Sequence, residues 1–354
     1  MKHDMQAAVY KSPGKLEIES IPVLDINQND VLVKVWNCGI CGSDLHSYKL
    51  GSYIEPGSVM GHEFSGLAHA VGSNVKGVKE GDRVTGFAIG ACGNCYWCNK
   101  GDIMLCPELF HNSTGYGRPG AFSEFVRIEN AVVGESIHVI PEEVSDVAAA
   151  TVEPIAVGIS AVDAAKINPG DKVVVLGSGM IGNACMQAAK QAGAGIVAII
   201  DLSTLRLNAA KDLGADLTHN PRDGNSLEWV KDNIGIGRYH FHEGGMADVV
   251  IETAGSPETI TESFEMVRSG GTIVFVGLPE KPATLDITKI VHKQPNIIGS
   301  LGGDFSRALE LLKNGTIVSD KLVSHNFPLS SIQMAFKLQM DPNESIKVMI
   351  TCSK

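Results

Sequence analysis

Two kinds of apolar patterning divide this chain. Up to about residue 155, short alternating runs recur: DVLVKVWNCGI from Asp30, FSGLAHAVGSNV from Phe64, GDRVTGFAIG from Gly81 and GAFSEFVRI from Gly120, each bounded by Gly, Pro, Asp or Asn. Short runs of this kind with turn residues between them predict an antiparallel, barrel-like β domain. The pattern changes near Thr151. TVEPIAVGISAVDAAKI reads as an Ala-rich helix, and after it apolar strands alternate with helical stretches. The strands are KVVVLG, GIVAIID, ADVVIETAG and GTIVFVGLP; between them lie MIGNACMQAAKQAG, LRLNAAKDLG and PETITESFEMVRSG. Such alternation predicts a doubly wound parallel sheet. A helix, FSRALELLKNG, follows, and the tail ending SIKVMITCSK is expected to rejoin the first domain.

One strand–helix junction carries chemistry. VVVLGSGMIG, from Val173, places Gly177, Gly179 and Gly182 in a G-x-G-x-x-G pattern between an apolar strand and a helix that begins with Met180 and Ile181. That context suits a dinucleotide: a tight turn, close approach of backbone to pyrophosphate, and phosphates on the free N–H groups of the helix. Asp201 ends the next strand, where a carboxylate accepts both adenosine ribose hydroxyls and repels a 2′-phosphate. NAD is therefore expected rather than NADP. Arg206, near that point, could accept a phosphate, but with Asp201 in place it is expected to stack on the adenine.

Cysteines supply a second signal. Four of the eight, Cys92, Cys95, Cys98 and Cys106, fall in ACGNCYWCNKGDIMLC with spacing C-x₂-C-x₂-C-x₇-C. Four thiolates close a tetrahedral shell around Zn²⁺ and leave no position for substrate, so the expectation is a structural zinc; an iron–sulfur cluster is the competing use of four thiolates. Earlier, NCGICGSDLH brings Cys38, Cys41, Ser43, Asp44 and His46, and GHEFSG brings His62 and Glu63. A thiolate, an imidazole and a carboxylate make an open zinc site with room for substrate.

Composition narrows the partners. With 44% hydrophobic and 19% charged residues the chain reads as globular. The net charge of −11 argues against nucleic acid as a partner. No apolar run approaches the ~18 residues that cross a bilayer, and the first residues carry no secretory pattern. The expectation is a cytoplasmic protein acting on small molecules, with reduced cysteines.

GICGSDLH, GHEFSG, the four-Cys stretch, TVEPIAVG, GSGMIG and IID occur in the order found in zinc-dependent medium-chain dehydrogenases, and the resemblance spans essentially the whole chain. Within that family the chain resembles the polyol branch, which includes sorbitol, butanediol and galactitol-phosphate dehydrogenases. Glu153 in VEPIAVG is the reason, since classical alcohol dehydrogenases carry a ligand Cys near there. The resemblance implies an α/β protein with a GroES-like β-barrel catalytic domain, residues 1–155 and 292–354, and a doubly wound Rossmann NAD-binding domain, residues 156–291. It implies two Zn per subunit. Cys41 and His62 would bind the catalytic one, Glu63 as third ligand or close neighbour, and Glu153 directly or through water. Cys38 matches no ligand position and is expected to be packed. Ser43 and His46 match the proton relay, Tyr48 a position lining the substrate pocket, and Val276, Leu278 and Ser300 the segments flanking the nicotinamide.

The implied reaction is hydride transfer between NAD and a secondary alcohol or ketone of a polyol, a sugar alcohol (free or phosphorylated) or a diol. Threonine-dehydrogenase-like oxidation of an amino alcohol and ketone reduction use the same motifs, and a non-enzymatic zinc- and nucleotide-binding protein is the reading from another class. A homodimer or homotetramer is expected by analogy. The insertion IGRYHFHEGGM, with His240 and His242, is expected to be an exposed loop rather than a third metal site.

Overall fold

The computed structural model describes residues 4–87 and 89–353. Its first layer is a seven-stranded, mostly antiparallel sheet. Val31–Gly39 lies near the middle, flanked by Glu63–Val71, Phe125–Ile128 and Lys347–Thr351; Arg83–Gly86, Ile137–Val139 and Val323–Pro328 extend it. A hairpin of Asp4–Ser12 and Lys15–Pro22 covers one side. Val31, Val33, Val35, Phe64, Val84, Phe122, Val126 and Val348 form the core between them. The tail thus returns to the first domain as a strand: Ile350 pairs with Cys38 and Met349 with Gly39.

The second layer is a six-stranded parallel sheet in the spatial order Leu217–His219, Ile196–Ile200, Lys172–Leu176, Ala247–Glu252, Val267–Phe275, Asn296–Gly299. In chain order this is 3-2-1-4-5-6, a doubly wound sheet whose connections diverge between Lys172–Leu176 and Ala247–Glu252. Val173 and Val175 face one core and Val174 and Leu176 the other, which is why the strands read as unbroken apolar runs.

Three differences from the sequence expectation concern where elements begin, end and pair. Asn296–Gly299 is the sixth strand of the parallel sheet, and Phe305, Ala308 and Leu309 of the next helix join its core. The cofactor layer therefore runs past residue 291, and the boundary at 155/156 falls inside the helix Val152–Ala165. The helix expected to reach Gly270 stops at Met266, where Val267 begins a strand. The insertion is not a loop but a hairpin, Ile236–Tyr239 against His242–Gly245, turning at His240 (φ 53°) with Phe241 97% exposed.

Candidate active site and metal centres

The helix Gly42–Leu50 starts at Cys41, whose backbone N–H donates to the Asp44 carboxylate at 2.9 Å, and stops at Gly51 in the left-handed conformation (φ 70°). This cap fixes Cys41 at the helix mouth and sets Asp44 inward, Oδ1 3.7 Å from Nδ1 of buried His62. His62 follows Gly61, where φ of 96° and a backbone neighbour 2.8 Å from any added Cβ admit only glycine. Glu63 opens the next strand, and Glu153 sits in the first turn of Val152–Ala165. Ligand atoms of Cys41, His62, Glu63 and Glu153 lie within 4.8 Å of one another.

Acidic groups crowd this pocket and raise one another's pKa. Burial, then the Glu63 carboxylate, pushes the Cys41 thiol up, and burial raises Glu153 to about 7. Burial alone would lower His62, yet Asp44 and Cys41 raise it to about 10. Nδ1 of His62 has no hydrogen-bond partner among the described residues. A soft cysteine sulfur, an imidazole and two carboxylates converging in a half-buried pocket fit a divalent cation of zinc's preferences.

Sequence reasoning missed the cation that is present. Lys347, on the returning tail, donates to both Glu63 oxygens at 2.8 and 2.6 Å and to the Ile40 carbonyl at 2.9 Å. Burial opposes its charge, but Glu63 and Cys41 together hold its pKa above the ordinary value. Gly39 makes room, since a Cβ there would lie 2.3 Å from Glu63 Oε2. A lone lysine in the apolar run IKVMIT was the available signal. Glu153, in contrast, has no lysine bonded to it among the hydrogen bonds and ion pairs of the described residues.

Ser43 and His46 lie on the same helix. Tyr116 Oη donates to Ser43 Oγ at 2.9 Å, and burial pushes the Tyr116 phenol well above its usual range. His46 lies 4.0 Å from Glu280, which also pairs with Lys49 at 2.8 Å and so joins this helix to the cofactor layer. Tyr48 departs from expectation: its ring packs on Phe336 in the barrel core and its hydroxyl donates to the Gly14 carbonyl at 2.7 Å. Its place one turn beyond Asp44 turns it into the core, where it has no free face for a substrate. Cys38 is fully buried.

The four remaining ligand candidates gather as a second group, the sulfurs of Cys92, Cys95, Cys98 and Cys106 lying within 4.8 Å. None forms a disulfide. Backbone N–H groups aim at the sulfurs: Cys98 N–H lies 3.5 Å from Cys95 Sγ and Cys92 N–H 3.3 Å from Cys106 Sγ. The Asn94 N–H is the main influence lowering Cys92 to about 7. Met104 carries this lobe against Gly302 of the cofactor layer.

At the glycine turn, a Cβ on Gly177 (φ 97°) would meet Thr253 Oγ1 at 2.8 Å, and one on Gly182 would meet the Gly177 carbonyl at 1.9 Å. Gly179 is open except for the Arg206 guanidinium at 3.9 Å. Met180 starts the helix and is buried, with Ile181 half-buried beside it. Asp201 accepts N–H bonds from Ser178 and Ser203, each at 2.7 Å, tying the end of the second strand to the glycine turn. Arg206 Nε donates to the Ser345 carbonyl at 2.9 Å, which sets its guanidinium beside the turn. Val276 N–H donates to the Glu252 carbonyl and Ser300 N–H to that of Phe275, so both sit at the ends of parallel strands; Leu278 is exposed. The helix that carries Glu153 packs on Met180–Gln191 so closely that a Cβ on Gly158 would meet Ala184 Cβ at 2.6 Å. One closely packed helix pair thus joins the Cys41–Glu153 group to the glycine turn. An open hollow of about 410 Å³ beside Pro257, Glu258 and Thr261 contains none of these residues.

Comparison with known proteins agrees with this arrangement. Residues 27–139 match the alcohol dehydrogenase GroES-like domain, and residues 181–314 match the zinc-binding dehydrogenase family. A sorbitol dehydrogenase of Bacillus subtilis is 35% identical over 98% of this chain and 97% of its own length. The solved 2R,3R-butanediol dehydrogenase of the same species superposes with a TM-score of 0.84 at 30% identity, over 98% of this chain and 99% of that one. A protein of Sinorhizobium meliloti described as a zinc-binding dehydrogenase, solved with NADP, gives a TM-score of 0.88 at 29% identity, over 99% and 100% of the two chains.

Proposed function

This chain belongs to the zinc-dependent medium-chain dehydrogenases, and we propose that within that family it transfers a hydride between NAD and a secondary alcohol or ketone of a neutral polyol or diol. The carrying observation is that Cys41, His62 and Glu63 converge with Glu153, whose helix packs on the one that opens at the glycine turn. Zinc held by Cys41, His62 and the carboxylates would polarise the substrate oxygen and lower its pKa. Glu63, already engaged by Lys347, serves best as a neighbour that balances charge, and Glu153 is the freer carboxylate for the cation. Ser43 would take the hydroxyl proton and His46 pass it to solvent, and a nicotinamide held by the cofactor layer would supply the hydride acceptor. Gly177, Gly179 and Gly182 hold the pyrophosphate, and Val276, Leu278 and Ser300 border the nicotinamide.

NAD is favoured over NADP because the Asp201 carboxylate stands where a 2′-phosphate would fall. Arg206, beside Gly179, is placed for the phosphates as readily as for the adenine. A neutral substrate is favoured because the lysines nearest the site are already paired, Lys49 with Glu280 and Lys347 with Glu63. The four-Cys group would hold a second, structural zinc. A homodimer or homotetramer through the edge strand Asn296–Gly299 is supported by exposed Ile287, Val291 and Ile297 along that side. No helix among the described residues is long and apolar enough to cross a membrane, and eight unbridged cysteines suit the cytoplasm.

The test is a panel of polyols, sugar alcohol phosphates, butanediols and threonine, each with NAD and NADP, on zinc-loaded protein. Turnover of a polyol or diol with NAD is the expected result. Selective turnover of threonine would move the assignment to amino alcohols, and no turnover of any of them would remove the enzyme reading.

A further inference from the structure

Tyr116 occupies a place that neither the zinc ligands nor the relay pair explains. It sits in the turn 113–119, and that turn is locked onto the backbone just before His62. Gly115 (φ 80°) lies so close that an added Cβ would meet the Gly61 carbonyl at 2.6 Å, and Ala121 N–H donates to the same carbonyl at 2.8 Å. The Tyr116 ring stacks on the His62 imidazole, centroids 5.0 Å apart at 28°. Phe110 meets it edge-on at 5.1 Å, and Tyr53 lies 6.1 Å beyond Phe110. Three rings thus lead from exposed Tyr53 inward to the metal cluster. At the inner end the hydroxyl donates to Ser43 Oγ.

A serine hydroxyl has one proton to give and two lone pairs to receive with. The Tyr116 bond takes one lone pair, leaving the other for an incoming proton and Ser43's own proton free to go onward. We propose that Tyr116 is the positioning residue of the proton relay, its hydroxyl holding Ser43 in the one rotation that accepts from the substrate and donates away from it. In oxidation the substrate C–H gives its hydride to the nicotinamide and its O–H proton to Ser43 Oγ, as Ser43's original proton leaves toward His46. Loss of the Tyr116 hydroxyl lets Ser43 rotate, and the aligned fraction falls. The row of rings adds an apolar wall suited to the C–H face of a carbon chain.

This inference rests on the dehydrogenase reading, and the experiment separates the two. Tyr116→Phe keeps the ring and its stack on His62. It is expected to lower kcat by roughly tenfold with KM within about twofold, as expected for one hydrogen bond made in the relay. Zinc content and NADH affinity, read by atomic spectroscopy and nucleotide fluorescence, should not change. In a Ser43→Ala background, Tyr116→Phe should cost nothing more; a merely structural role would cost the same in both backgrounds. Independently of turnover, the ring-carbon resonance of Tyr116 in zinc-free protein labelled with 13C-tyrosine should shift on Ser43→Ala. A wild-type protein active on polyols whose Tyr116→Phe variant keeps kcat, or whose two substitutions act additively, overturns the role of Tyr116 alone. A wild-type protein inactive on every alcohol overturns the reading beneath it as well.

Discussion

The imidazole of His138 stacks on the ring of Phe305, centroids 5.4 Å apart at 29°, and so joins a barrel strand to the first turn of a helix in the cofactor layer. Ser306 Oγ lies 3.3 Å from His138 Nδ1. Burial holds His138 below its ordinary 6.5. The unfolded chain therefore takes up this proton before the folded one does. Stability is untouched above pH 6.5, falls as pH drops through 6.5, and levels off below the folded value. Thermal melts from pH 7.5 to 5 should show His138→Phe losing less than wild type, by roughly 2–4 °C at the acid end. Parallel slopes for the two proteins would contradict this.

Lys347 and Glu63 form a buried ion pair 2.6 Å apart. Removing one partner leaves a charge without water or counterion, so Lys347→Met is expected to cost about 3–5 kcal/mol in urea unfolding. Adding Glu63→Gln to that variant should recover most of the loss. Equal instability of single and double variants would show that packing, not charge, is at stake.

The two metal groups should separate in a metal count. Cys95→Ser is expected to lose the structural ion and lower the melting temperature, while activity persists below the melt. Cys41→Ser should lose catalysis with a smaller fall in melting temperature than Cys95→Ser. Atomic absorption should give one zinc in each variant and two in the wild type. An Fe signal from the wild type would replace the structural zinc with a cluster.

Asp201→Ala should narrow the preference for NAD. Removing the carboxylate takes away both the ribose acceptor and the repulsion of a 2′-phosphate, so the ratio of kcat/KM for NAD over NADP should drop by about 10–100-fold. An unchanged ratio would place selectivity elsewhere, with Arg206 the next residue to vary.

What the sequence made legible was local. The glycine turn, the four-Cys lobe and the helix opening at Cys41 each lie within one short segment, and their spacing alone dictates the geometry. Long-range partners carry no such mark: Lys347 reaches Glu63 across 284 positions and Tyr116 reaches Ser43 across 73. Tyr48 misled because a family position was read without the inward helix face. The hairpin at Ile236–Gly245 escaped because its turn, His240–Phe241, lacks the Gly or Asn that usually marks a tight reversal.

The strand Lys347–Thr351 lies between Val31–Gly39 and Val323–Pro328. Order of synthesis gives that position a temporal meaning. Every candidate zinc ligand has left the ribosome by Glu153, yet the sheet behind them still lacks a member, and Glu63 has no ammonium to face. The whole cofactor layer is made before that gap closes. The nascent chain can thus offer Cys41, His62 and Glu153 to an ion early, but the settled pocket belongs to the finished polypeptide.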